Sequence, residues 1–351
     1  MSRGPTVIRP QLWERTARLP ALGLIPPDSF TPEAGAALKQ AEQVPVHLVF
    51  PVGSAREAGN LSYLLALVRP LLGRLIDQVW IAFGGERPEG LKRLTETWPQ
   101  VKVFTVARHL PPDQEQAPLG KGAAMRACLY HLVTGTGLTD PRAVVVFLDA
   151  DIRPAFFHPR WVVDPVGAIL RFEAVEAAKI VYQRPHGGRL NTMLRSLLAL
   201  CPHPGVQALQ NLAYLLSGEM AGTLKFWSRL PFKTGYGVET MTLLAFALDH
   251  LVQVYVGEMD HRHAPLTSTP QKRGLDQMAG TVFCTLMEVL GEAGLFRWQT
   301  PATVAPRLII PVPDGESGEP LTWMEAPLAD VSLPPLWSCP EVRARLAAGG
   351  T

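Results

Sequence analysis

The run from Val144 to Leu148 is apolar without a break, and within three further residues it gives way to two acids, Asp149 and Asp151. Its residues are β-branched, aromatic or aliphatic, which predicts a strand covered on both faces inside a parallel sheet. Such strands present ligand-binding groups at their carboxyl ends. Two carboxylates leaving one strand end repel each other unless they are solvated, protonated or bridged by a cation, and a divalent ion with oxygen ligands meets that need. A lone D-x-D also describes an acid that caps a strand and a second acid in the turn after it.

Other apolar runs recur around this one at α/β spacing. VPVHLVFPV (44–52), QVWIAF (78–83) and VKVFTVA (101–107) read as strands, with helices NLSYLLALVRPLLGRL (60–75) and GKGAAMRACLYHLVTG (120–135) among them. The alternation predicts an α/β fold, a doubly wound, mostly parallel sheet with right-handed crossovers. Beyond Asp151 the rhythm changes. AAKIVYQRP (177–185) and VQVYVGEM (252–259) are strands, set among the helices LNTMLRSLLALC, VETMTLLAFALDH and GLDQMAGTVFCTLMEVLGEAG. The chain is therefore divided into an N-terminal arm (1–43), a first α/β domain (44–152), a second, more helical α/β region (153–299) and a Pro-rich tail (300–351) read as an extended wrap or dimer arm.

With 47% hydrophobic residues and 33 basic against 31 acidic side chains, the chain is globular and close to neutral, which argues against nucleic acid as a partner. The four cysteines are far apart and lack C-x-x-C spacing, as expected of thiols in a reducing compartment. The first twenty residues lack a signal-peptide core, and no apolar run is long enough to span a bilayer, so no membrane association and a cytoplasmic location are expected.

Several short constellations carry chemistry. Lys121 lies between Gly120 and Gly122 at a helix start, a place where an ammonium can meet phosphate or sugar oxygens. A P-loop is excluded there, because its first glycine would fall on Glu115 and its Ser or Thr on Gly122. In YQRPHGGRLNT, Gly187 and Gly188 precede Arg189 at another helix start, a local anion seat of backbone N–H groups and a guanidinium. LSGEMAG sets Glu219 between glycines, and PFKTGYGVE sets Tyr236 and Glu239 at the next helix start. His261 and His263 follow a strand end at alternate positions, so at most one is expected to ligate a metal.

In this order, G-K-G, D-A-D, Y-x-R-P with G-G-R, S-G-E, P-F-x-x-G-Y-G-V-E and H-R-x-x-P-L, the motifs resemble the glucosyl-3-phosphoglycerate synthases, retaining glycosyltransferases of GT-A fold. The resemblance runs from about Val44 to Gln277. It implies that Asp151 and His261 hold a divalent cation, Mg²⁺ or Mn²⁺, and that Asp149 touches the ribose or the shell of that ion. It places Lys121 on the donor sugar or phosphate. Pro51 and Glu57 border the base, and Gly84 and Ala150 complete the donor cleft. Gly188 and Arg189, helped by Asn191 or Thr192, would grip 3-phosphoglycerate, Tyr236 would line the acceptor cleft, and Glu239 would hydrogen-bond the reacting hydroxyls. UDP-glucose is the favoured donor and a homodimer the expected assembly.

The departures lie on the donor side. PVGSARE stands where the family has P-A-L-N-E, AFGG where it has D-S-G-S, and Met259 where it has an arginine. The alternatives are GDP-mannose or another small acceptor on the same fold, and a GT-A-like binding protein without turnover.

Overall fold

The structure is a computed structural model, which describes residues 7–9, 22–84, 89–184, 188–201, 203–244, 250–260, 266–268, 274–295, 307–312, 322–327 and 330–349. Nine strands come first along the chain: β1 (Leu24–Ile25), β2 (Val46–Val52), β3 (Gln78–Phe83), β4 (Val101–Thr105), β5 (Val144–Phe147), β6 (Ala177–Gln183), β7 (Met220–Thr223), β8 (Phe232–Lys233) and β9 (Leu251–Glu258). All but β8 belong to one eight-stranded sheet of order β1-β9-β6-β7-β5-β2-β3-β4. Every pairing in it is parallel except those of β7 with β5 and β6. The strand ending in the two acids thus has a parallel neighbour, β2, on one side and an antiparallel one on the other. β7 is four residues of small or flexible side chains, MAGT, and no alternation marks it in the sequence.

The helices are α1 (Pro32–Glu42), α2 (Ala55–Val68), α3 (Glu89–Thr97), α4 (Lys121–Thr134), α5 (Arg160–Arg171), α6 (Arg189–Ala199), α7 (Pro204–Ala208), α8 (Leu224–Arg229), α9 (Val238–Leu244), α10 (Leu275–Glu292) and α11 (Pro340–Gly349). α2 starts five residues earlier than its apolar periodicity suggests. Ser54 Oγ accepts the Glu57 N–H, and the Glu57 carboxylate accepts the Gly53 N–H at 2.8 Å, a reciprocal cap of the S-x-x-E type displaced by one residue. α5 packs on β5, β6, β7 and β9 although Pro165 lies inside it, and its Asp164 accepts the N–H groups of Asp28 and Phe30, which fastens the N-terminal segment to the sheet. The sheet runs across residue 152, so the donor-side and acceptor-side regions share one core.

The tail departs from the extended wrap read in the sequence. β10 (Arg307–Val312) and β11 (Thr322–Pro327) form an antiparallel pair, β12 (Ser332–Leu333) pairs with β8, and α11 packs against α4 with Val342 and Leu346 buried. Prolines obscure this helix in the sequence, because they cluster in front of it, and Pro340 opens it at a first-turn position where proline is tolerated. Among the described residues no helix is long and apolar enough to cross a membrane.

Candidate active site

β2 leads outward to β3 and β4 on one side, and the chain then returns to place β5 on the other side of β2. The carboxyl ends of β2 and β5 therefore meet where the strand order reverses, the usual ligand site of an open α/β sheet. A cleft of about 400 Å³ opens there. Pro51 and Glu57 line it from the β2 side and Gly84 from the end of β3, while Lys121, Asp149, Ala150 and Asp151 line it from α4 and the D-A-D turn. All the donor-side residues expected from the sequence thus share one cavity. Leu119 and Gly120 join them there.

The centre of the site is the Lys121 ammonium. It lies 2.6 Å from Asp149 Oδ1 and 2.7 Å from Glu239 Oε1, joining the turn after β5 to the start of α9, and Glu239 is 118 residues from the lysine along the chain. Burial draws the ammonium down, but Asp149, Glu239 and Glu219 outweigh it and hold Lys121 well above its ordinary value, so it stays cationic. The residue at 218 has to be glycine for this geometry, because a Cβ there would stand 1.9 Å from Lys121 Nζ.

Around the lysine the acids outnumber the bases. Burial and the Asp149 charge push the Asp151 carboxyl up to about 7. Burial raises Glu239 as well, and it raises Glu219, beside Asp149, to about 8. Lys179, buried in β6, is pushed down to about 8 by burial and donates to the Ser217 carbonyl at 3.0 Å. Four carboxyls face two ammonium groups in this cluster, and Lys121 already serves Asp149 and Glu239. Among the described residues no cation pairs with Asp151.

The D-A-D turn is fixed from two sides. Asn60 Nδ2 donates to the carbonyls of Ala150 and Ile152 at 2.7 and 2.8 Å. Arg153 pairs with Asp260 at 2.7 Å, and the Arg153 N–H also bonds the Asp260 carbonyl. The residue directly before position 261 is thereby tied to the D-A-D turn; His261 itself lies outside the described residues. An oxygen-rich pocket with a half-buried Asp151 that no cation among the described residues pairs with suits a hard divalent ion.

On the acceptor side, Gly188 stands before α6 at φ +85°, a left-handed conformation that glycine adopts without strain, and Arg189 begins the helix with its side chain exposed. Asn191 Oδ1 accepts the Leu215 N–H at 2.6 Å, and the exposed Thr192 bonds back to the Gly188 carbonyl, so both side chains brace the turn. From Leu215 the path to the lysine is short. The Tyr214 ring lies 4.6 Å from that of Tyr182, and the Tyr182 hydroxyl donates to Glu219 at 3.0 Å. Tyr236 sits beside Glu239; burial and this carboxylate push its hydroxyl well above its ordinary value.

Asn60, Lys179 and Tyr214 are not singled out by the sequence, and Tyr182 enters only as the first letter of Y-x-R-P. Lys179 leaves a visible signal, a charged residue in the middle of a strand whose neighbours are all buried, whereas Asn60 sits in an unremarkable helical turn.

Comparison with known proteins agrees with this geometry. No family model matches the chain. Curated glucosyl-3-phosphoglycerate synthase from Mycobacterium tuberculosis is 29% identical over 266 residues, covering 70% of this chain and 74% of that protein. The solved structure of the M. tuberculosis enzyme in complex with Mn²⁺, uridine diphosphate and glucosyl-3-phosphoglycerate superposes with a TM-score of 0.68 at 25% identity, over 88% of this chain and 96% of that one. The chain is similar to the glucosyl-3-phosphoglycerate synthases in sequence and in fold. It is a glycosyltransferase of GT-A fold. Mannosyl-3-phosphoglycerate synthase from Rubrobacter xylanophilus shares the family's fold with a TM-score of 0.69 at 24% identity, covering 88% of this chain and 95% of that one.

Proposed function

We propose that the protein transfers a hexose, glucose in the favoured reading, from a uridine diphosphate sugar to 3-phosphoglycerate with retention of configuration. The observation that carries this is the Lys121 ammonium, held permanently charged between Asp149 and Glu239 in a cleft that also exposes Asp151. The M. tuberculosis relative binds Mn²⁺ and a uridine nucleotide together with the glycosylated acceptor.

Asp151 and His261 would hold the divalent ion, which when bound supplies positive charge to the diphosphate. Lys121 cannot serve as an acid or base, since its neighbours keep its proton in place; it is a fixed positive charge aimed at the oxygens where negative charge grows. Glu239, its carboxylate anchored by Lys121, orients hydroxyls. Gly188 and Arg189 seat the anionic acceptor.

The same contacts bear on how retention would be achieved. The Glu239 carboxylate is engaged with Lys121, and Glu219, hydrogen-bonded by Tyr182 and raised to about 8, is a poor nucleophile. Front-face substitution is the favoured route: the anomeric carbon–phosphate oxygen bond breaks, the acceptor oxygen bonds to the same face, and the acceptor proton passes to the departing phosphate.

The test is incubation with Mg²⁺ or Mn²⁺, a panel of UDP- and GDP-hexoses, and 3-phosphoglycerate or glycerate. A new phosphorylated glycoside of retained anomeric configuration, formed only with metal, is expected. Transfer from GDP-mannose alone would replace the sugar assignment, and the absence of any glycoside would refute the reading.

A further inference from the structure

The tail, which lies beyond the sequence motifs, grips the turn carrying Tyr236 and Glu239. Asp330 Oδ2 accepts the Gly237 N–H at 2.7 Å, capping the start of α9 from 93 residues away. The Val331 carbonyl accepts the Thr234 N–H at 3.0 Å, and the Val331 N–H returns to Thr234 Oγ1 at 3.1 Å. Next along the chain, Ser332 and Leu333 pair with Lys233 and Phe232, and Lys233 Nζ donates to Ser332 Oγ at 2.7 Å. The opposite edge of the same turn holds α4, because the Ala123 N–H donates to the Thr234 carbonyl at 3.0 Å. Arg126, fully buried in α4, donates to the Pro334 carbonyl at 2.9 Å. One short segment therefore fixes both helix starts that supply Lys121 and Glu239.

We propose that residues 330–334 are an intramolecular strap in which Asp330 is a positioning residue, setting Lys121 and Glu239 at reacting distance through the turn at 232–237. Asp330 touches neither substrate site; it acts by holding the Gly237 N–H, whose displacement would move a carboxylate that must stay aligned with the ammonium. This rests on the glycosyl-transfer reading for its kinetic consequence, but its structural consequence can be read without turnover.

The experiment compares the full chain with Asp330→Ala and Asp330→Asn. The alanine variant is expected to lose kcat by roughly 10- to 100-fold with the donor KM within about twofold. Asparagine, which keeps an oxygen acceptor, should recover kcat to within about threefold. Hydrogen exchange in the segment 231–244 should quicken at least about tenfold in the alanine variant, with protection elsewhere unchanged. Unaltered exchange in that segment overturns the strap, and so does a kcat within twofold of the parent. If the parent shows no transfer from any sugar, the functional reading fails while exchange still decides the strap. Should Asp330→Ala not fold, Thr234→Val, which removes only the oxygen that Val331 addresses, decides by the same two readouts.

Discussion

Lys121 is held by two carboxylates, of which Glu239 is itself destabilised by burial, and this mutual dependence makes single substitutions informative. Lys121→Met leaves Asp149 and Glu239 facing each other without a cation, and kcat is expected to fall by about 10²- to 10³-fold with an unchanged far-UV spectrum, the scale of losing one aimed charge. Glu219 gives a pH test. Its folded value of about 8 lies above the ordinary 4.5, so the folded state binds a proton that the unfolded state has released between those limits. Unfolding free energy from this group is then greatest below about pH 4.5 and declines as pH rises towards 8, by at most ~1.4 kcal/mol per pH unit. Glu219→Gln lacks that decline. Urea unfolding of parent and variant at pH 5 and pH 8 should therefore show the stability of the variant relative to the parent increasing with pH; a constant difference would mean that Glu219 is ionised throughout.

At the scale of elements, the site is built where two strand ends and two helix starts converge, and small backbone features decide its geometry. Gly218→Ala would place a methyl group on top of the lysine nitrogen, so activity should drop at least about tenfold while the melting temperature changes little. Asn60→Ala frees the D-A-D turn from two hydrogen bonds, and about 1–3 kcal/mol of stability should be lost in denaturant titrations. These elements differ in how plainly the sequence announces them. β2, β3 and β5 are readable because near-continuous burial demands near-continuous apolar residues. The capping serine and glutamate of α2 are readable in retrospect. β7 and α5 are not, since a strand of small residues has no alternation, and a proline within a helix argues locally for a break that packing overrides.

Across the whole molecule, the eight-stranded sheet brings together Glu57, Lys121, Asp149, Glu219 and Glu239, spread over more than half the chain. The order of motifs made the donor cleft legible, because acids at strand ends and glycine-flanked helix starts must converge at the carboxyl edge of such a sheet. The tail was not legible in this way. Its role depends on hydrogen bonds from Asp330 and Val331 to backbone groups, which leave no pattern in residue type. Asn191 shows the same limit, since its letter suits an acceptor contact and its side-chain oxygen braces Leu215.

The central claim is that a divalent ion at Asp151 carries the diphosphate of the donor. Calorimetric titration of uridine diphosphate into the protein and into Asp151→Asn, each with and without Mn²⁺, addresses it without requiring turnover. The expected result is at least about a hundredfold tighter binding with Mn²⁺ in the parent, near 3 kcal/mol, and no metal effect in the variant. Equal affinity with and without Mn²⁺ in the parent, or an undiminished metal effect in Asp151→Asn, would contradict it.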